Sequence, residues 1–183
     1  MKTGDFLRKH NACWEGARWA LSISDDMSVV WDAMIKEGKH DWLIWTATRP
    51  GVFSESILRK LACRFVRETP LADGRMVWDL LTDDRSRKAV QVAEAYVDGN
   101  ATKKELVATA EAAFDVAAVD AAAWAAEAAA WAANATAAAD AAYDAYLAAR
   151  AAAATDVAAT SAASYAAQAR MIAELGNPFK KEA

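Results

Sequence analysis

The sequence predicts an all-α fold: a multi-helix orthogonal array or bundle, with Trp-rich N-terminal helices packed on a close-packed Ala-rich C-terminal array. Three observations carry this. The stretch 102–175 has no Gly and no Pro, and about half of it is Ala, the residue with the best helix propensity. Upstream, apolar residues recur at i, i+3, i+4 and i+7, the spacing of one helical face. Acidic or hydroxyl residues open these runs, and Gly or Pro follows several of them.

Taken in order, Thr3 is placed to cap a first helix carrying Phe6, Leu7, Ala17 and Leu21, with Trp14 and Trp19 on adjoining parts of its surface. Ser24, Asp25 and Asp26 open a second, since carboxylates suit the positive end of a helix. Its inward face is Met27, Val30, Trp31 and Met34, and Gly38 ends it. The aromatic run from His40 to Trp45, closed by Pro50-Gly51, is too short for periodicity to decide, and its helical surroundings favour a helix. Ser54 caps a helix with Ile57, Leu58, Leu61, Ala62, Phe65 and Val66 inward, ending before Pro70. A linker follows, within which Met76 to Leu81 packs as a short helix or turn. Asp83-Asp84 opens the next helix, through Ala89, Val90, Ala93 and Tyr96 to Gly99. Thr102 and Glu105 form a capping box that launches the Ala-rich array. These elements divide the chain into 1–82, 83–176 and a frayed tail at 177–183.

An unbroken helix over 102–175 would be about 110 Å long at 1.5 Å per residue, too long for a compact chain of this size. It must fold back, and Val119-Asp120, Asn134-Ala135-Thr136 and Thr155-Asp156 are the corners. Methyl-sized faces let helix axes approach closely. Phe114, Trp124, Trp131, Tyr143, Tyr146, Leu147, Tyr165, Ile172 and Leu175 then act as spaced pegs. Trp124 and Trp131 share a face, either as core or as a pair of anchors toward a partner.

With 183 residues and a net charge of −4, the chain is one domain or a tightly joined pair with a real core. Lys and Arg equal Asp and Glu through Gly99, fifteen of each; from Asn100 to Gly176 they number four against nine. The Ala-rich part is therefore the acidic part. That argues against nucleic acid, which needs a basic face, and favours a basic protein partner met by Glu127, Asp140 and Asp144. Cys13 and Cys63 sit inside apolar helical patterns and read as buried free thiols of a reducing, cytoplasmic setting. Recurrent acids in the Ala run leave no membrane-spanning window.

Catalytic and metal-ligating candidates are sparse. His10 with Cys13, and His40 with Asp41, are the pairs at hand; neither has the density of a zinc site, and no oxyanion-binding loop accompanies them. Arg85 and Arg87 sit near a helix start, where the dipole disfavours cations, so something compensates them. Asp41, Asp79 or Asp83 would do so structurally; a partner's carboxylate or a phosphate would do so functionally.

Two sets of residues carry a family resemblance. One is Asp84-Arg85-Ser86-Arg87-Lys88-Ala89-Val90 with Tyr96 and Gly99, followed by Ala-rich helices bearing Trp and Tyr; the other is Ala12-Cys13, Trp19-Ala20, Asp41-Trp42-Leu43 with Trp45, and Ala62-Cys63-Arg64. From about Ala12 to Leu175 the chain resembles the Ala- and Trp-rich family of immunity proteins found beside bacterial polymorphic toxins, with phage and prophage relatives. Ser86 stands where that pattern has Pro, and Tyr96 where it has Trp. The resemblance implies a cytoplasmic, all-helical, non-enzymatic binder without cofactor or metal. Such a protein neutralises a toxin, nuclease or host defence effector by stoichiometric occlusion.

Partner contacts are then expected at Arg85, Arg87, Trp124, Glu127, Trp131, Asp140 and Asp144. Two other classes compete: a small-ligand binder or enzyme with a pocket between the halves lined by Trp42, Trp45 and Trp78, and an assembly protein that self-associates through its Ala faces.

Overall fold

The computed structural model describes residues 1–71, 73–117, 147 and 161–180. The Ala-array corners, and Trp124, Glu127, Trp131, Asp140 and Asp144, lie outside these residues. Among the described residues there are nine helices and no β-strand. They are α1 (Thr3–Lys9), α2 (Trp14–Ile23), α3 (Met27–Lys36), α4 (His40–Ala47), α5 (Glu55–Glu68), α6 (Val77–Leu80), α7 (Asp84–Val97), α8 (Lys103–Ala117) and α9 (Ser161–Ala173).

Four of the starts follow the capping chemistry written in the sequence. Asp26 accepts from the Ser28 amide at the head of α3, Ser54 from the Ile57 amide at α5, and Asp83 from the Arg85 amide at α7. Thr102 and Glu105 form the reciprocal box expected at α8, at 3.2 Å and 2.8 Å. Gly38, with φ +65°, ends α3 in the left-handed conformation that glycine adopts without strain.

The predicted first helix is two. Asn11 takes φ +50° and breaks the run, and α2 starts afresh with Cys13 as its cap, whose sulfur accepts from the Gly16 amide at 3.4 Å. Asn is among the few residues that visit this region readily, so the break is local chemistry that apolar periodicity does not register. Thr3 is not the cap of α1. Lys2 holds that position, and Thr3 is buried, its hydroxyl without a hydrogen-bond partner. Cys13 is exposed, contrary to the buried thiol expected; Cys63 is buried as expected.

The core is one cluster that runs from Phe6 through α3, α4, α5 and α7 to Ile172 on α9. At its centre is Trp31, 0% exposed, with Phe53 and Phe179 set edge-on at 5.9 and 5.8 Å. α7 packs on α5 and on α8, while α9 packs on α4 and α5. Ser164 and Gln168 of α9 donate to Pro70 O and Thr69 Oγ1, fastening α9 to the linker.

The segment expected to fray is docked through residue 180. Asn177 Nδ2 donates to Ser28 O at 2.8 Å and Asp32 Oδ1 at 2.9 Å, Lys180 pairs with Asp32, and the Phe179 ring meets Phe6 at 5.4 Å. The aromatic side chain supplies the burial that sequence position alone does not reveal.

Candidate functional site

Four helices of the N-terminal part and α9 leave a chamber between them. α4 places Trp42 and Trp45 three residues apart on one side, while Leu43, Ile44 and Ala47 are buried. α2 brings Trp19, Ala20 and Gly16, α3 brings Met27, Val30 and Met34, and α9 contributes Tyr165. Leu7 of α1 and the Ala12-Cys13 turn close the remaining side. The chamber's volume is about 250 Å³, and it is partly open to solvent. Gly16 sets the spacing on the α2 side: a Cβ there would lie 3.2 Å from Cys13 Sγ and 3.6 Å from the Trp42 ring.

The walls are mostly apolar, with few polar groups. Thr46 Oγ1 donates to Met34 Sδ at 3.8 Å, a weak bond that leaves little polarity. Trp19 Nε1 donates to Glu37 Oε2 at 3.2 Å, and the Trp19 and Trp42 rings lie 5.2 Å apart. Cations already sit on these rings. Lys39 Nζ is 5.2 Å from the Trp42 centroid and 5.8 Å from that of Trp19; the Arg49 guanidinium is 5.0 Å from Trp45, whose carbonyl its Nε also holds at 2.9 Å. The chamber adjoins an open groove lined by Glu15, Gly38, Lys39, His40, Asp41, Trp42 and Tyr165. Asp41, Trp42 and Tyr165 belong to both spaces.

Trp42 and Trp45, expected from the sequence, are in these walls; Trp78 is not. It lies under the Arg67 guanidinium at 3.5 Å, and Arg67 makes a two-pronged bond to Glu94 at 2.9 and 2.7 Å. Trp19 and Tyr165 were not expected as lining. Trp19 precedes the first residue of α4, His40, by 21 positions, and only the tertiary arrangement joins them.

The two arginines of α7 part company. Arg85 is compensated by Asp83, at 3.1 and 2.9 Å, one of the structural partners expected. Its bonds hold the Asp83 carboxyl below the usual range. Arg87 lies 5.7 Å from the Trp78 centroid, and its enclosed Nε has no hydrogen-bond partner. Arg85, Arg87 and Lys88 line a surface groove with Asp84, Gln91, Thr109 and Ala112.

Both candidate His pairs lie at helix ends. His10 ends α1, its ring 4.6 Å from Phe6, while Cys13 caps α2 across the Asn11 turn. Burial, with Lys9 and Arg49 nearby, lowers the His10 pKa from its usual value. His40 is the first residue of α4, beside Asp41. Burial, with Glu94 adding to it, pushes the Cys63 thiol up to about 12. Among the described residues no group of three or more His, Cys, Asp or Glu is placed to hold a metal, and no helix is long and apolar enough to cross a membrane.

α2 also carries an outward stripe, which joins Trp14, expected on adjoining surface, to Leu21, which was expected on the apolar face with Phe6, Leu7 and Ala17 and is instead exposed. Trp14 is 73% exposed and Leu21 55% exposed, and the Arg18 guanidinium stacks on Trp14 at 4.5 Å. Comparison with family models, with curated proteins and with solved structures finds no match.

Proposed function

We propose that this chain is a non-enzymatic binding protein that neutralises a toxin, nuclease or defence effector by stoichiometric occlusion, of the bacterial immunity or phage anti-defence type. The observation that carries the reading is the Trp14–Arg18–Leu21 stripe, spaced four and three residues apart on α2. Trp and Arg dominate the energetic centres of protein interfaces, and an exposed Trp held in place by an Arg costs little ordering on binding. The family resemblance supports the same class. The acidic residues Glu127, Asp140 and Asp144 fit a partner with a basic surface, and steering by them makes association fall with added salt.

The test uses the chain and its Trp14→Ala variant as bait in parallel. One protein retained in equimolar amount by the wild type and lost with the variant, and whose purified activity is abolished at a one-to-one ratio, is the expected result. Retention that is indifferent to Trp14, or a captured protein that stays active at saturation, would overturn the reading.

A further inference from the structure

We propose that the chamber between α2, α3, α4 and α9 is a binding site for a small uncharged aromatic or branched apolar molecule. This is independent of the protein-binding role proposed for the outer face of α2. Its volume, about 250 Å³, exceeds that of engineered apolar cavities of roughly 150 Å³ that take up benzene. A space of this size bounded by Trp19, Trp42, Trp45, Met27 and Met34 forgoes dispersion contacts on every wall, and an occupant of matching shape regains them.

The charge of the occupant follows from what already lies on the rings. Three Trp and an Asp resemble a cage for a quaternary ammonium ion, the usual client of aromatic walls. Here Lys39 lies over Trp19 and Trp42, and Arg49 over Trp45, so an incoming cation meets like charge at each ring. An incoming anion would give up its hydration against mostly apolar walls that include the Asp41 carboxylate, a cost that Lys39 in the groove outside offsets only in part. Neutral ligands incur neither penalty. Asp41, Trp42 and Tyr165, common to chamber and groove, mark the way in.

The adjacent thiol offers a direct reporter. Cys13 lines the chamber and is exposed, while Cys63 is 3% exposed and has its thiol held protonated, so alkylation of the folded protein reads Cys13.

Two probes of nearly the same shape decide the matter on the intact chain: tert-butylbenzene, neutral, and trimethylphenylammonium, its cationic counterpart. Binding is read by calorimetry, by Trp fluorescence and by the rate of Cys13 alkylation. The expected result is one-to-one binding of the neutral probe, at least about tenfold tighter than the cation, with slowed alkylation of Cys13. Ala20→Phe, which projects a ring into the space from a buried position of α2, abolishes both effects; Met76→Ala, at an exposed position outside the lining, leaves them unchanged. Should Ala20→Phe fail to fold, prior attachment of a bulky maleimide at Cys13 serves as the blocked form. Tighter binding of the cation, the absence of saturable binding by the neutral probe, or undiminished binding to a folded blocked form would overturn the proposal. So would a blocked form that loses only a protein partner, which would assign the space to that partner's side chain.

Discussion

Two regions pack by opposite means. Around Trp31 the elements interlock through large rings: Phe6, Phe53, Phe65 and Phe179 with Met27, Leu43 and Leu58. On α7 and α8, which pack on each other, the buried side chains are mostly small: Ser86, Ala89, Val90 and Ala93 on α7, with Ala110 and Ala113 beside Leu106 on α8. Rings set at steep angles hold helices apart and leave a chamber; methyl faces let helices approach closely. The difference explains why the candidate ligand site belongs to the Trp-rich part. It also predicts opposite sensitivities, since a ring-packed core fails by truncation and a methyl-packed seam by enlargement.

The sharpest test of the first half is Trp31→Ala. Truncating a fully buried Trp leaves a large void, so about 3–5 kcal/mol of stability should disappear, read as a shift of the urea midpoint with unchanged slope. A loss below about 1 kcal/mol would mean that the rings are not what holds this region. The second half is broken by Ala93→Leu, which forces a branched side chain into a fully buried position on α7. About 1–3 kcal/mol of destabilisation is expected by the same measurement, whereas a neutral effect would show the seam to be loose.

Ser86 sharpens the comparison in the other direction. It lies in the first turn of α7, buried, and its hydroxyl has no hydrogen-bond partner. A first-turn amide needs no intrahelical acceptor, so Ser86→Pro removes an orphaned hydroxyl and stiffens the unfolded chain. A gain of about 0.4–1 kcal/mol is expected, visible as a higher melting temperature, and a loss would show that the seam cannot take the ring.

The smallest effect is one of pH. Because the folded state lowers the His10 pKa through burial and through Lys9 and Arg49, the unfolded chain binds more protons as pH falls past the ordinary histidine value. The contribution is complete above that value and is lost on acidification through the folded pKa. Denaturation midpoints between pH 8 and 5 should therefore decline, and His10→Asn should flatten the decline without touching the α7–α8 seam.

Much of this architecture was legible in one sequence, for an identifiable reason. Caps and helix faces are local, so Asp26, Ser54, Asp83 and the Thr102–Glu105 box could be read directly, as could Met27, Val30, Trp31 and Met34 as one buried face. Asn11 was missed because a left-handed residue leaves no trace in apolar spacing. Cys13 was misjudged with it, since a residue that caps a helix has its side chain at the surface rather than on the buried face. The chamber was half legible: Trp42 and Trp45 are three apart, but Trp19 and Tyr165 join them only through the packing of α2 and α9. Trp78 was assigned to the wrong place because its partners, Arg67 and Arg87, come from two other helices.

The docking of Asn177 and Phe179 has a consequence for biogenesis. The bond from Asn177 to Ser28 spans 149 positions, so α1 and α3 leave the ribosome long before the ring that covers Phe6 and Trp31 exists. Until then a nascent chain presents an uncovered aromatic surface to chaperones and to its neighbours on a polysome, and that surface closes only once Phe179 is available to dock.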